Sequence, residues 1–171
     1  ELFTVLSAGF VLLASEVYRY VYVSRDFWGS TMLIPIFVSS YYTNFLCTFP
    51  VNFEYYHKKT KVVSIITIVS SLINVGLNYL LILRIGMAGA AVATLISHSL
   101  QLTLHYLYVR FALGGKEYPF PLKMWVGYAA VFAAVAVASV AADGLWLARW
   151  GLGAAVGLWE LLRIRKRKVL I

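Results

Sequence analysis

The chain has 171 residues, of which 61% are hydrophobic and 13% charged, and its net charge is +8. This composition excludes an ordinary soluble domain, which at this size has too small an interior to bury so much apolar surface and carries about 25% charged residues. The basic residues lie between apolar blocks, so the charge indicates membrane orientation and not a nucleic-acid-binding surface. The sequence therefore predicts an all-α membrane protein.

About six apolar segments follow one another along the chain, each near the roughly 20 residues that cross a bilayer. Polar links separate them, among them the charged cluster 54–61 and the turns 84–87 and 143–144. The first segment starts directly after Glu1 and is short for a span, so we expect the natural chain to extend further upstream. The predicted helices form a single transmembrane unit, 1–171, and cover residues 2–18, 32–53, 62–83, 88–111, 124–142 and 145–162.

The basic residues predict the orientation of these helices. Eleven of the fifteen lysines and arginines fall in the second link, the fourth link and the C-terminal tail. The positive-inside rule places these segments in the cytoplasm, so we expect both ends of the chain there. The tail is expected to anchor at the lipid headgroups, with specific binding of anionic lipid as the alternative. The predicted cytoplasmic anchors are Lys58, Lys59, Lys61, Arg163, Arg165, Lys166, Arg167 and Lys168.

Polar side chains inside the predicted spans are the candidates for a functional site, because they are costly in lipid and face other helices or a wet cavity. A polar belt covers 39–44, Asn74 and Asn78 share one helix face, and His98 and Gln101 share another. Interhelical hydrogen bonding is the alternative to a cavity lining at each position. The candidate cavity-lining residues are Tyr41, Tyr42, Asn44, Asn74, Asn78, His98 and Gln101.

Two further polar features leave alternatives open. Glu16 and Arg19 are three residues apart, which predicts an interfacial ion pair or, alternatively, a carboxylate on a substrate path. His98 could carry a proton near neutral pH or simply form a packing hydrogen bond. His98 and His105 are about 10 Å apart along one helix, which is too far for two ligands of one metal ion.

Small residues at the start of the fourth helix predict close packing against the third, as an antiparallel hairpin. These helix-packing residues are Gly86, Gly89, Ala90 and Ala93. The single Cys47 excludes an internal disulfide framework and a cysteine-based zinc site. With no phosphate-binding loop, paired carboxylates or nucleophile–base grouping in the sequence, we predict neither an enzyme nor a cofactor nor a metal site.

The stretch 73–97 resembles a signature of oligosaccharide flippases, the Wzx-type polysaccharide transporters of the MOP superfamily, which also contains the multidrug exporters. The matching pattern is Asn74, a few apolar residues, Asn78, a linker with Gly86, and then small residues from Gly89 to Thr94. The aromatic, lysine-rich segment 55–61 is similar to a cytoplasmic link of the family, and Glu16 and Pro35 fall where such sequences tend to carry these types. The resemblance covers roughly residues 10–122.

This resemblance implies that the chain is the C-terminal six helices of a transporter with about twelve to fourteen. Such a protein moves a lipid-linked oligosaccharide across the bacterial inner membrane for surface polysaccharide synthesis, by alternating access between two lobes. The implied partners are the lipid bilayer, the lipid-linked oligosaccharide and the missing N-terminal helices of the same chain, without nucleic acid.

Two alternatives remain open at the level of sequence. An ion-coupled multidrug exporter would favour a carboxylate deep in a span, and none of the six predicted helices has one at its centre. A non-transporting membrane scaffold would pair all of its polar belts with neighbouring helices and leave no wet space between them.

Overall fold

The computed structural model describes residues 2–21 and 33–114, together with nine single helical positions between 123 and 158. The described part is all-α and contains four helices, α1 (Leu2–Val21), α2 (Ile34–Tyr56), α3 (Thr60–Ile85) and α4 (Met87–Phe111). The predicted fifth and sixth helices and the basic tail lie mostly outside the described residues. The six predicted spans are therefore not shown.

The first four helices begin and end close to their predicted limits, with one informative difference. The predicted eight-residue link 54–61 is a turn of only three residues, because α2 continues to Tyr56 and α3 already begins at Thr60. Pro35 is the second residue of α2, where a missing amide hydrogen is tolerated, whereas Pro50 lies inside the helix and is buried. Glu54 consequently belongs to a helix and not to a link.

The chain divides into two compact units, Glu1–Val38 with Tyr128–Ile171, and Ser39–Gly127. In the first unit, α1 buries residues spaced three or four apart, which is the pattern of one helix face. That buried face consists of Ser7, Ala8, Val11, Leu12 and Ala14, while Phe3, Leu6, Phe10 and Val17 are exposed.

The second unit contains α3 and α4, which pack against each other as an antiparallel pair. Gly89 lies against Leu81, and Asn74 is hydrogen-bonded to Ser97. Residues nearer the N-terminus of α3 therefore lie against residues nearer the C-terminus of α4. A single residue, Gly86, separates the two helices.

Gly86 allows this sharp reversal through its backbone. Its φ is +63° and its ψ is −142°, a conformation that residues with a Cβ rarely adopt. A Cβ at this position would meet no other atom, so the glycine is needed for its conformation. The sequence analysis predicted that Gly86 acts in helix packing. In the structure, Gly86 serves the turn between α3 and α4.

Gly89 has the opposite role, because its surroundings leave no space for a side chain. A Cβ added there would overlap the backbone carbonyl group of Leu81 and lie 2.8 Å from the amide nitrogen of Ile82. Farther along α4, Ala90 is half-buried and Ala93 is completely buried. These small residues let the backbones of α3 and α4 approach closely.

Helices α3 and α4 are long and apolar enough to cross a membrane. At 1.5 Å per residue, the 26 residues of α3 extend about 39 Å, which exceeds the hydrocarbon core of a bilayer. Within α3 only Val63 and Ser70 are buried. Its exposed large apolar side chains are Ile65, Ile68, Val69, Leu72, Ile73, Val75, Tyr79, Leu80, Ile82, Leu83 and Ile85.

The close approach at Gly89 gives a direct test of the α3–α4 packing. We expect Gly89→Ala to destabilise the protein by about 1–3 kcal/mol, because the backbone of Leu81 cannot yield as a flexible side chain would. The matched control is Gly76→Ala on α3, where an added Cβ meets nothing, and we expect it to be neutral or stabilising by up to about 1 kcal/mol. Unfolding in mixed micelles by a denaturing detergent measures both changes, and equal effects of the two substitutions would contradict the packing.

Candidate functional site

Helix α2 has two chemically distinct faces. At 3.6 residues per turn, Tyr41, Asn44, Thr48, Asn52 and Tyr55 fall within about 80° of one another, and all five are exposed. We call this set the polar face of α2. It extends about 21 Å along the helix and carries no charged side chain.

The opposite face of α2 is buried. It contains apolar residues such as Leu46 and Pro50, and also Ser40 and Glu54, each of which is completely buried. A helix in a water-soluble protein normally buries its apolar side and exposes its charged residues. In α2 the one charged residue among those at 34–56 lies on the buried side, so its partners on other helices matter.

Two of the three α2 residues predicted to line a cavity lie on the polar face. Tyr41 is 62% exposed and Asn44 is exposed, whereas Tyr42 is only 2% exposed. Thr48, Asn52 and Tyr55 extend the same face and were not among the sequence candidates. Their spacing of three or four residues from Tyr41 and Asn44 was a signal that sequence reasoning could have used.

Asn74 and Asn78 on α3 join a hydrogen-bonded chain that reaches α4. Asn78 donates from its side-chain amide to the backbone oxygen of Asn74 at 3.0 Å and to its side-chain oxygen at 2.9 Å. Asn74 in turn donates to the hydroxyl of Ser97 at 3.1 Å, and Ser97 donates to the carbonyl of Ala93 at 2.8 Å. Both asparagines are half-buried; Asn78 bonds within α3, and the bond from Asn74 to Ser97 connects α3 to α4.

His98 connects α4 to α2. Its Nδ1 lies 3.0 Å from the backbone oxygen of Ser40 and 2.9 Å from the hydroxyl oxygen of the same residue. Because a carbonyl oxygen can only accept, the hydrogen lies on Nδ1. The ring of Tyr41 is tilted against that of His98, with their centres 6.3 Å apart.

Gln101, the last candidate from the sequence, reaches back to α3. Its amide nitrogen is 3.5 Å from the hydroxyl oxygen of Thr67, the long end of a hydrogen bond. Together, Asn74, His98 and Gln101 provide contacts between helices, while Tyr41 and Asn44 lie on an exposed face. Whether any of them lines a cavity stays a prediction.

Three exposed serines in the apolar helices bond to their own backbone, whereas the hydroxyl of Ser70 is buried without a hydrogen-bond partner among the described residues. Ser64 donates to Thr60, Ser71 to Thr67 and Ser99 to Leu95, each to the carbonyl four residues earlier. This local bonding removes much of the cost of a hydroxyl in an apolar environment. Exposed serine and threonine residues on α3 and α4 are therefore compatible with hydrocarbon surroundings.

The basic anchors predicted in the link lie at one end of the α3–α4 pair. Lys58 and Lys59 precede α3, Lys61 lies in its first turn, and Arg84 lies in its last turn. About 38 Å of helix separates Lys59 from Arg84, while the antiparallel arrangement returns Arg110 to the end that carries the lysines. The five anchors predicted in the tail lie outside the described residues.

A second close polar contact between α2 and α4 involves residues that the sequence analysis did not select. Nδ1 of His105 lies 2.9 Å from one carboxylate oxygen of Glu54 and 3.0 Å from the other, and both side chains are completely buried. Sequence reasoning assigned Glu54 to a charged link and considered His105 only as a metal ligand. Among the described residues, no group of three or more His, Cys, Asp or Glu side chains could hold a metal ion.

The way in which α2 ends explains why Glu54 lies within the helix. The amide of Lys59 donates to the carbonyl of Glu54 and that of Lys58 to the carbonyl of Tyr55, both at 2.9 Å. These two bonds form a Schellman motif, which normally has glycine at the position with positive φ. Lys58 occupies that position with a φ of +56°, so the helix end was not recognisable from a glycine in the sequence.

The positive φ of Lys58 yields a stability prediction. Replacing Lys58 by glycine should stabilise the protein by about 1 kcal/mol, because glycine adopts the left-handed conformation without the steric cost of a Cβ. Lys59→Gly removes the same charge at a residue with a φ of −94°, and should give no stabilisation. Detergent-induced unfolding measures the stability of both variants. Equal changes in stability for Lys58→Gly and Lys59→Gly would contradict the motif.

Comparisons of the chain with protein-family models, with characterised proteins and with solved structures give no match. The candidate site has two parts. The first is the uncharged polar face of α2, from Tyr41 to Tyr55. The second is the set of polar contacts by which α4 holds α2 and α3, with the Glu54–His105 pair as the most deeply buried member.

Proposed function

We propose that the chain is part of a membrane transporter that moves a lipid-linked oligosaccharide across the bacterial inner membrane for surface polysaccharide synthesis. The observation that carries the proposal is the contrast between two exposed helix surfaces. The exposed surface of α3 is largely apolar, whereas the exposed face of α2 is polar and aromatic. One surface suits hydrocarbon and the other suits water or a polar ligand.

The contrast is large in free-energy terms. An amide transferred from water to hydrocarbon without a hydrogen-bond partner costs about 4–8 kcal/mol. Two exposed asparagines, Asn44 and Asn52, would therefore strongly oppose a lipid-facing position for α2. The eleven large apolar side chains exposed on α3 would equally oppose exposure to water. A bilayer on one side and an aqueous path on the other satisfies both helices.

The side chains of the polar face match the chemistry of a sugar. The amides of Asn44 and Asn52 can both donate to and accept from hydroxyl groups, and the hydroxyl of Thr48 can do the same. The rings of Tyr41 and Tyr55, which are 62% and 50% exposed, offer apolar faces against the C–H groups of a sugar ring. With no charged side chain on it, the face suits an uncharged polyhydroxylated head group.

Polar contacts between the helices support a lobe that moves as one body. His98 and His105 hold α4 to α2, and Asn74 holds α3 to α4. Alternating access requires rigid groups of helices that rock around a substrate path. In this proposal the interhelical hydrogen bonds keep the lobe rigid while the polar face of α2 remains available to the head group.

The orientation follows from the same proposal. The end of the helices that carries Lys58, Lys59, Lys61 and Arg110 lies in the cytoplasm, and Arg84 lies on the opposite side of the inner membrane. The two chain ends remain on the cytoplasmic side, as six crossings require. The missing N-terminal helices supply the second lobe.

The test is a translocation assay with the complete natural chain in proteoliposomes, using a fluorescent lipid-linked oligosaccharide. We expect Asn44→Ala and Asn52→Ala each to slow translocation about fivefold, for a lost hydrogen bond of about 1 kcal/mol at the barrier. The matched controls are Ile68→Ala and Leu72→Ala, which truncate exposed side chains of α3 and should leave the rate within twofold of wild type.

Three outcomes contradict the proposal in different ways. Equal rates for the α2 variants and the α3 controls would show that the polar face does not meet the cargo. Export of a cationic dye without oligosaccharide movement would favour the multidrug exporter. A protein that moves neither compound would favour the scaffold.

A further inference from the structure

Glu54 and His105 form a buried pair that the transport proposal does not use. They come from two helices and are 51 residues apart in the sequence, and both side chains are completely inaccessible. Both oxygens of the carboxylate face Nδ1 of the imidazole, at 2.9 and 3.0 Å. The other ring nitrogen, Nε2, is buried and has no hydrogen-bond partner among the residues that the structure describes.

The carboxylate determines which ring nitrogen keeps its hydrogen. With Glu54 ionised, its oxygens can only accept, so Nδ1 donates and keeps its hydrogen in both charge states of the ring. A proton can then be gained or lost only at Nε2. The same logic applies to carboxylate–histidine pairs generally, where the acid orients the ring and leaves its far nitrogen available.

A buried site is favoured by zero net charge and by a partner for every hydrogen-bond donor. Each charge state of the pair meets only one of these two conditions. With neutral imidazole, the pair has a net charge of −1, which is costly away from water. When Nε2 takes a proton from water, the ring becomes an imidazolium ion, the net charge becomes zero, and Nε2–H becomes a buried donor without an acceptor. Neither state is favoured on both counts, and small movements of α2 against α4 can change which one is preferred.

We propose that Glu54 and His105 form a proton-binding site between α2 and α4, at which Nε2 of His105 takes up and releases a single proton. The orphaned buried nitrogen is the observation that points to the ligand, and the bifurcated contact with the carboxylate is what confines the exchange to that nitrogen. The site lies near the end of α2 that leads to the lysine-rich turn.

Few other titratable groups act on this site in the described part of the chain. Cys47, two turns earlier on α2, interacts electrostatically with Glu54 and is itself buried. Lys59 approaches through its backbone, where its amide donates to the carbonyl of Glu54. From α4 the contributing group is His105 itself.

The experiment is solid-state nitrogen NMR on the complete chain in lipid bilayers, with ¹⁵N-labelled histidine. Spectra of His105→Gln identify the signals of His105 by their absence, and those of His57→Gln show that the signals do not come from His57. Over a series of pH values, we expect Nε2 of His105 to pass from protonated to unprotonated as the pH rises, while Nδ1 stays protonated throughout. His57→Gln also serves as the control that should leave the His105 signals unchanged.

Glu54→Gln supplies the second arm, because the glutamine oxygen can still accept from Nδ1 while the negative charge is gone. At the pH where half of the wild-type Nε2 sites carry a hydrogen, we expect a different fraction to do so in Glu54→Gln, because the charge that faces the ring is gone. Three results would overturn the proposal: no change at Nε2 over that pH range, exchange at Nδ1 in its place, or a wild-type titration in Glu54→Gln. If Glu54→Gln does not fold, the wild-type titration alone tests the proposal. None of these readouts depends on transport.

Discussion

The arrangement of the described helices depends on one constraint: the apolar surface of α3 needs a solvent other than water. Only Val63 and Ser70 of its 26 residues are buried within the protein, so packing against α4 does not cover the helix. Hydrocarbon can solvate this apolar surface. It also requires every backbone polar group to form a hydrogen bond within the protein, as a continuous helix does. The hydroxyl groups that donate to carbonyls of their own helix follow the same rule.

Within this constraint α4 organises the unit that extends from 39 to 127. Towards α3 it offers small residues, and Gly89 lets the two backbones meet at Leu81. Towards α2 it offers two histidines, His98 and His105, which bond to Ser40 and Glu54. In hydrocarbon there is little hydrophobic drive between helices, so close packing and polar contacts of this kind hold them together. On the polar face of α2, Tyr41 lies against the ring of His98, and in the proposed function the exposed face is available to a ligand.

Much of this arrangement was predictable from local sequence patterns, and the rest depended on distant pairings. Four apolar segments and the small residues near Gly86 predicted the helices and the close α3–α4 hairpin. The spacing of Asn74 and Asn78 predicted a shared face, though not their partner Ser97. Helical periodicity would also have revealed Asn52 and Tyr55, had the polar belt been followed beyond its first turn.

Glu54 was unpredictable for two physical reasons. The helix ends in a Schellman motif with Lys58 in place of the usual glycine, so the boundary was set too early and the acid was assigned to a link. Its partner lies 51 residues away on another helix, and no local pattern encodes that distance. A single acid on one apolar segment and two histidines on another were nevertheless a signal, since each needs a partner in lipid.

The central claim is that the exposed surfaces of α2 and α3 meet different solvents, and site-directed spin labelling tests it most directly. Labels at Thr48 on the polar face and at Leu72 on α3 are compared in bilayers for collisions with oxygen, which concentrates in lipid, and with a water-soluble nickel chelate. The account predicts that the label at residue 72 collides mainly with oxygen and the label at residue 48 mainly with the chelate. Dominant access of the chelate to both positions, or of oxygen to both, would contradict it.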